Sequence, residues 1–282
     1  MINTKGIMEK ITMSAHQQLQ LTKGKILVRK LSSDPNLTYY LYIPLSSKLD
    51  APVFITVHGI KRQANKHVSL FASFAEQYEC IVIAPYFPKD RFNGYQRLGI
   101  NGKGERADLA LDDIIAEVKV LTGANTEKLY MFGYSGGAQF VNRYTMIYPY
   151  RVARIVLAAA GWYTYPDILR DYPFGIRRIK RHREVNFELM KILSVPTCVL
   201  VGEKDILRDK ELRTSKDIDQ QQGINRLERN KRWVKAMLAS ARANNLNTPY
   251  DFRVTPESGH SFTECMQNGR MGSRVFEFLF TK

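Results

Sequence analysis

The ten residues Lys128-Leu129-Tyr130-Met131-Phe132-Gly133-Tyr134-Ser135-Gly136-Gly137 decide how the rest of the chain is read. Residues 129–132 are a short apolar run of the kind a fully buried parallel strand shows. The chain then turns through residues 133–137 into Ala138-Gln139-Phe140-Val141, which reads as a helix. The pattern is G-x-S-x-G between a strand and a helix, the setting of a nucleophile elbow. Lifting a serine hydroxyl clear of a sheet requires a sharp chain reversal. Ser135 is therefore expected at a corner with a strained, positive φ, at a cost on the order of 1–3 kcal/mol. Gly133 and Gly137 flank it because larger side chains would collide where the two backbone segments pass. The Gly136 amide, at the start of the helix, is expected to face negative charge developing on a bound carbonyl.

The flanking sequence alternates between strand and helix signals. Residues 25–31 and 37–43 read as an antiparallel hairpin around the turn Ser33-Asp34-Pro35-Asn36. Residues 52–57 form a strand ending in His58-Gly59-Ile60, and a helix follows with Leu70, Phe71, Phe74, Ala75 and Tyr78 on one face. Residues 80–85 are another buried strand, and 86–105 a long polar loop. Leu111, Ile114, Ile115 and Val118 fall at i, i+3, i+4 and i+7 of a helix, with Gly123 beyond its end. After the elbow come a strand over 152–160 and a stretch, 161–193, rich in aromatics, proline and arginine that reads as a small lid or excursion. A strand over 195–201 ends at Gly202-Glu203-Lys204-Asp205. A polar insertion, 207–225, leads into an amphipathic helix around Trp233. The last strand, 250–254, precedes Ser258-Gly259-His260 and a closing helix through Val275, Phe276 and Leu279. This order predicts the α/β class: a mostly parallel twisted sheet of about eight strands with helices on both faces. We expect one domain over 1–282, with residues 1–22 a polar lead-in. Gly102 to Ala107 formally spells G-x-G-x-x-A, but it does not leave a strand, which argues against a dinucleotide site.

Composition narrows the class of protein. The 282 residues are 44% hydrophobic and 11% aromatic, which fits a globular chain. No apolar run approaches the roughly 18–20 residues of a membrane span. The first twenty residues carry Lys5, Glu9 and Lys10 and lack an apolar core, so no secretory signal is expected. Three cysteines, Cys80, Cys198 and Cys265, form a sparse, odd set that favours a reducing, cytoplasmic setting. The net charge of +15 is compatible with nucleic acid, anionic lipid or an acidic substrate. Much of it lies in Arg177, Arg178, Lys180, Arg181 and Arg183, and in Arg226, Arg229, Lys231, Arg232 and Lys235. The second group alternates with Leu227, Trp233, Val234, Met237 and Leu238 and reads as the solvated face of a helix.

In a parallel α/β sheet, functional groups collect in loops leaving the carboxyl ends of strands. His58-Gly59-Ile60, Ser135, Asp205 and His260 all fall at such positions, and their order along the chain is Ser, Asp, His. A serine hydroxyl is a poor nucleophile at neutral pH. It needs an imidazole to take its proton and a carboxylate to fix the tautomer of that imidazole. Among the five histidines, His260 is the one in a glycine-flanked loop after the final strand. His182 lies in a basic run ahead of Asp205. His16 lies in the lead-in, and His67 begins a helix, where a surface role is expected. Asp205 directly follows its strand and is preferred as the acid, with Asp209 as the alternative. The backbone N–H groups of Ile60 and Gly136 are the expected oxyanion donors. Trp162, Tyr163 and Tyr134 are the expected substrate contacts, with residues 95–97 as a further candidate. The 177–183 run is a candidate attractor for an anionic substrate.

The motifs HGI, GYSGG, GEKD and SGHSF at these strand ends resemble the α/β-hydrolase-fold serine esterases. They are most similar to bacterial esterases related to dienelactone hydrolase and polyhydroxybutyrate depolymerase, over about residues 25–280. The resemblance implies a Ser135–Asp205–His260 triad and acyl-enzyme chemistry on a small-molecule carboxylic ester, with neither cofactor nor metal. Two departures stand out. Secreted depolymerases carry signal sequences and disulfides not found here, and dienelactone hydrolases use a cysteine where this chain has Ser135. Peptidase, thioesterase or acyltransferase activity would share the same acyl-Ser135 intermediate. A catalytically silent binding module with a basic surface is the alternative from a different class. A specific nucleic-acid partner is not expected, and the oligomeric state stays open.

Overall fold

The computed structural model describes residues 21–100, 103–182 and 185–281. His16, Gly102, Arg183 and all of the lead-in but Leu21 and Thr22 lie outside the described residues. Eight strands form one sheet in the order β1-β2-β4-β3-β5-β6-β7-β8. They are β1 (Ile26–Leu31), β2 (Asp34–Tyr42), β3 (Pro52–Val57), β4 (Ile81–Pro85), β5 (Asn125–Tyr134), β6 (Val152–Ala158), β7 (Thr197–Gly202) and β8 (Tyr250–Thr255). The opening hairpin is antiparallel and joins β4 antiparallel, whereas β4, β3, β5, β6, β7 and β8 run parallel. The expected mostly parallel α/β sheet is what the chain forms.

Alternate residues of the central strands point to opposite faces, and both faces are covered. Val53, Ile55, Met131, Ile155, Leu157 and Val199 share a core with helices α2 (Ala107–Thr122), α3 (Gly136–Ile147) and α6 (Arg226–Ala243). Phe54, Val82, Phe132, Val156 and Leu200 pack on the other side against α1 (Ala64–Gln77), α7 (Phe262–Gln267) and α8 (Met271–Phe280). Burial on both faces explains why these strands read as continuous apolar runs. Each fully buried large apolar side chain contributes roughly 1.5–3 kcal/mol. Two shorter helices, α4 (Leu189–Leu193) and α5 (Lys216–Gln222), lie in the connections. Among the described residues no helix is long and apolar enough to cross a membrane.

Three expectations need correction. The hairpin turn is Ser32-Ser33, one residue earlier than the turn-forming Ser33–Asn36 segment, and Pro35 lies inside β2. Leu31 pairs with Asp34 and Lys30 with Thr38, so residues 35–37 fall in an interruption of the ladder. That is where a residue without an N–H is tolerated. Arg226 and Arg229 of α6 are buried, not solvated, because the helical repeat puts them on the same face as Trp233 and Met237. His67 of α1 is also buried. Of the expected excursion over 161–193, residues 161–182 run irregularly, and residues 189–193 form α4. Trp162, Tyr163, Tyr165, Tyr172, Ile176 and Ile179 are buried, while Arg177, Arg178, Lys180 and Arg181 are exposed.

Candidate active site

The elbow is built by close backbone passage. Ser135 caps the start of α3 with φ 53° and ψ −110°, the positive φ expected of the corner. Its N–H donates to Ala158 O of β6 at 2.8 Å, which holds the turn against the neighbouring strand. A Cβ on Gly133 would strike the Gly137 carbonyl, and one on Gly137 would strike the Val57 carbonyl of β3. Both positions therefore exclude any side chain, and Ser135 stands half-buried above the sheet.

Two backbone bonds then fix the loops after β7 and β8 to each other. Glu203 N–H donates to Thr255 O and Lys204 N–H to Ser258 O, both at 2.9 Å. Asp205, 2% exposed, lies 2.7 Å through Oδ2 from His260 Nδ1, and His260 Nε2 lies 3.0 Å from Ser135 Oγ. A carboxylate only accepts, so Asp205 sets the proton on Nδ1 and leaves Nε2 free to accept from the Ser135 hydroxyl. The other oxygen of Asp205, Oδ1, is 3.4 Å from Arg226 Nη1. The same Nη1 donates to Asp209 Oδ2 at 2.7 Å, and Arg226 Nη2 donates to Asp209 Oδ1 at 3.0 Å. The Arg226 guanidinium draws the Asp209 carboxyl down to about 2. Asp209, the alternative acid, thus binds Arg226 rather than His260.

The loop after β3 approaches the elbow from the other side. Gly59 O accepts from Arg62 N–H and from His58 Nδ1–H, each at 2.9 Å. Because the peptide unit is planar and trans, fixing the Gly59 carbonyl also fixes the Ile60 N–H in the opposite direction. His58 Nε2 accepts from Phe87 N–H at 3.1 Å, so the ring uses one nitrogen as donor and one as acceptor. Burial lowers the His58 pKa to about 4, which keeps the ring neutral. Tyr95 Oη donates to His58 O at 3.0 Å. Gly136 is the first residue of α3, so its N–H has no acceptor within the helix. Ile60 and Gly136 adjoin: a Cβ on Gly136 would come within 3.1 Å of the Ile60 side chain.

Ser135 stands between two clefts that share Ile60 and Glu211. The first, about 220 Å³, is lined by Tyr134, His260, Ser261, Phe262, Lys61 and His67 among others. The second, about 170 Å³, is lined by Gln96, Arg97, Gln139, Trp162, Arg213 and Arg226 among others. Tyr134 thus faces the first cleft and Trp162 the second. Tyr163 faces neither. It is fully buried, stacks on Trp233 with ring centroids 4.6 Å apart, and donates through its hydroxyl to Asn230. The aromatic that follows Trp162 was drawn inward because Trp233 offers a stacking partner seventy residues later in the chain. His67 lines the first cleft by stacking on Phe262 at 3.9 Å, with Nδ1 2.7 Å from Thr56 Oγ1. Burial pushes its pKa well below the ordinary histidine value.

Arg226, Glu211, Arg213, Gln139 and the structural part of His58 were not found by sequence reasoning. Only the HGI spacing hinted at the last. Among the described residues no group of three or more His, Cys, Asp or Glu side chains is placed to hold a metal ion.

No family model matches the chain. Its fold is that of poly(aspartic acid) hydrolase-1 from Sphingomonas sp. KT-1, with a TM-score of 0.76 at 23% identity over 91% of this chain and 100% of that one. A poly(3-hydroxybutyrate) depolymerase from Bordetella parapertussis superposes with a TM-score of 0.69 at 21% identity, over 89% and 94% of the two chains. A dienelactone hydrolase-like protein from Klebsiella pneumoniae gives 0.57 at 15% identity, over 92% and 99%. Feruloyl esterase B of Talaromyces funiculosus is 26% identical over 118 residues, 40% of this chain, which spans only about a third (33%) of that relative's length. The chain therefore has the α/β-hydrolase fold.

Proposed function

We propose that this α/β-hydrolase-fold protein is a serine hydrolase that cleaves carboxylic esters through an acyl-enzyme on Ser135. The observation that carries the reading is the hydrogen-bonded series Asp205 Oδ2, His260 Nδ1, His260 Nε2, Ser135 Oγ, at 2.7 and 3.0 Å. Its chemistry balances in two halves. Ser135 Oγ attacks the ester carbonyl carbon as its proton passes to His260 Nε2, and the carbonyl oxygen takes up the negative charge opposite the Ile60 and Gly136 amides. Collapse breaks the bond to the leaving oxygen, which takes the proton from His260. Water then repeats the attack on the acyl-Ser135 ester, with His260 again as base, releasing the acid and restoring the hydroxyl. No electron transfer or cofactor enters either half.

Esters are supported by the names of three similar proteins, the feruloyl esterase, a thermostable esterase and an acetyl xylan esterase. Poly(aspartic acid) hydrolase-1 is named for a polyamide and keeps amide cleavage as the second reading. On this reading residues 21–281 act as one catalytic domain, because the loops after β3, β5, β7 and β8 all contribute to the site. Three buried free thiols, Cys80, Cys198 and Cys265, support a cytoplasmic location.

The test is a fluorophosphonate probe followed by peptide mass mapping, with turnover of p-nitrophenyl acetate measured in parallel. The expected result is one adduct on Ser135, and loss of both adduct and turnover in Ser135→Ala. Absence of an adduct on the wild-type chain would overturn the proposal in favour of a silent binding module.

A further inference from the structure

Of the three arginines lining the second cleft, two lack carboxylate partners among the described residues. Arg97 and Arg213 form no ion pair among the described residues, and the Arg213 guanidinium lies 5.0 Å over the Trp162 ring. Arg143 lies 4.2 Å over the same ring. It is fully buried, donates through Nη1 to Gln96 O and Gln139 O, and leaves Nε and Nη2 with no partner among the described residues. Burial lowers the Arg143 pKa to about 10, and the Arg97 charge adds to the lowering of Arg213. Arg226, the other cation of this cleft, is neutralised by Asp205 and Asp209. One carboxylate, the exposed Glu211, lies on the rim shared by both clefts and pairs with neither Arg97 nor Arg213.

Such a site is costly unless an anion occupies it. Arg143 is a buried charge without a counter-ion among the described residues, which is unfavourable, and the half-buried Arg97 and the exposed Arg213 add repulsion. A bound anion removes both costs and gains charge-assisted hydrogen bonds. The direction of the reaction says which part of the substrate carries that anion. His260 must reach the leaving oxygen to return its proton, and His260 lines the first cleft but not the second. The alcohol therefore leaves through the first cleft, and the acyl group extends from Ser135 into the second.

We infer that the second cleft is a carboxylate-binding acyl subsite, in which Arg97 and Arg213 hold a free carboxylate on the acyl group, backed by Arg143 behind Trp162. The preferred substrates are then half-esters of short dicarboxylic acids. This inference rests on the proposed role of Ser135.

The experiment compares kcat/KM for monoethyl glutarate and ethyl valerate by pH-stat titration, alongside fluorophosphonate labelling. The two esters share a leaving group and a five-carbon acyl chain. The half-ester should be preferred about 10- to 100-fold, the worth of one or two charge-assisted hydrogen bonds. Arg97→Gln and Arg213→Gln should each cut that ratio roughly tenfold. Both positions reach solvent, so they are the ones to change rather than buried Arg143, and a thermal melt verifies that each variant folds. Arg178→Gln, on the exposed basic run, should leave the ratio unaltered. If Ser135 is labelled and ethyl valerate is hydrolysed but the half-ester is not preferred, the subsite is refuted and the hydrolase reading stands. A preference that survives both cleft variants, or falls equally in Arg178→Gln, also refutes it. If neither ester is hydrolysed and Ser135 takes no label, both readings fall.

Discussion

Replacing Asp209 by asparagine separates the two carboxylates that share one guanidinium. Arg226 is 1% exposed; it meets Asp209 through two bonds, of 2.7 and 3.0 Å, and Asp205 through one contact of 3.4 Å. The Asp209 carboxyl, held at about 2 against an ordinary 3.8 by that pairing, prefers its anionic form by about 2.5 kcal/mol, at 1.36 kcal/mol per tenfold. Its side chain is 36% exposed, and solvent screening brings the net contribution to roughly 1–2 kcal/mol. The folded value lies below the unfolded one. The contribution is therefore complete above about pH 4 and is lost as pH falls toward 2. Asp209→Asn should lower the urea unfolding free energy at pH 7 by that amount, with the gap to wild type narrowing below pH 4. Arg226 would then have Asp205 as its remaining carboxylate and would compete with His260 Nδ1–H for it. A fall in kcat of about 3- to 10-fold follows, against about 10³- to 10⁴-fold for Asp205→Asn, where the amide favours the wrong imidazole tautomer. Equal losses of turnover in the two variants, or a stability gap that ignores pH, would refute this account of Arg226 and Asp209.

Two further outcomes follow from the loop after β3 and from the elbow. His58 is buried with its pKa near 4, below the ordinary value of about 6.5, so the unfolded chain takes up the proton first as pH drops. His58 should account for a decline in stability of up to about 3 kcal/mol between pH 6.5 and 4; by chemical denaturation His58→Phe should lose that part of the slope and keep the part due to buried His67. The same variant removes one of the two donors that hold the Gly59 carbonyl and so orient the Ile60 amide, leaving Arg62 N–H, and kcat should fall about 10-fold with little change in KM. Gly137→Ala drives a methyl into the Val57 carbonyl; it should cost about 3 kcal/mol or more, read as a lowered melting temperature.

The sheet and the elbow were legible because their signals are local. A strand buried on both faces is an apolar run, a sharp strand-to-helix corner needs glycines at fixed offsets, and loops at strand ends follow from the alternation itself. Ser135, Asp205 and His260 were found on those grounds, and the structure brings their side chains within hydrogen-bonding distance. Tyr163 could not be told from Trp162 in the same way. Adjacent aromatics in an irregular stretch carry no periodicity, and only the position of Trp233 decides which turns inward. His67 was misplaced for a related reason: at the start of a helix, burial depends on Phe262, nearly two hundred residues away, covering it.

The basic face of α6 exposes a deeper ambiguity. A helix with arginines beside Trp233 and Met237 has one sequence pattern, whether those arginines are wet or buried. What decides is the presence of carboxylates close enough to offset the cost of desolvation. Here two come from the polar insertion, Asp209 on Arg226 and Asp219 on Arg229 at 2.7 Å, and the third is Asp205 on Arg226, from the loop directly after β7. Arg229 also donates to Gly161 O at 2.6 Å, the residue before Trp162. One buried seam of charge therefore joins the insertion, the acid that orients His260 and the wall of the second cleft. An insertion that reads as a polar connection supplies partners to the arginine that contacts Asp205 of the candidate triad, and substitutions along it should move stability and turnover together. Changes on the exposed Lys231 and Lys235 of the same helix touch none of these partners and should move neither.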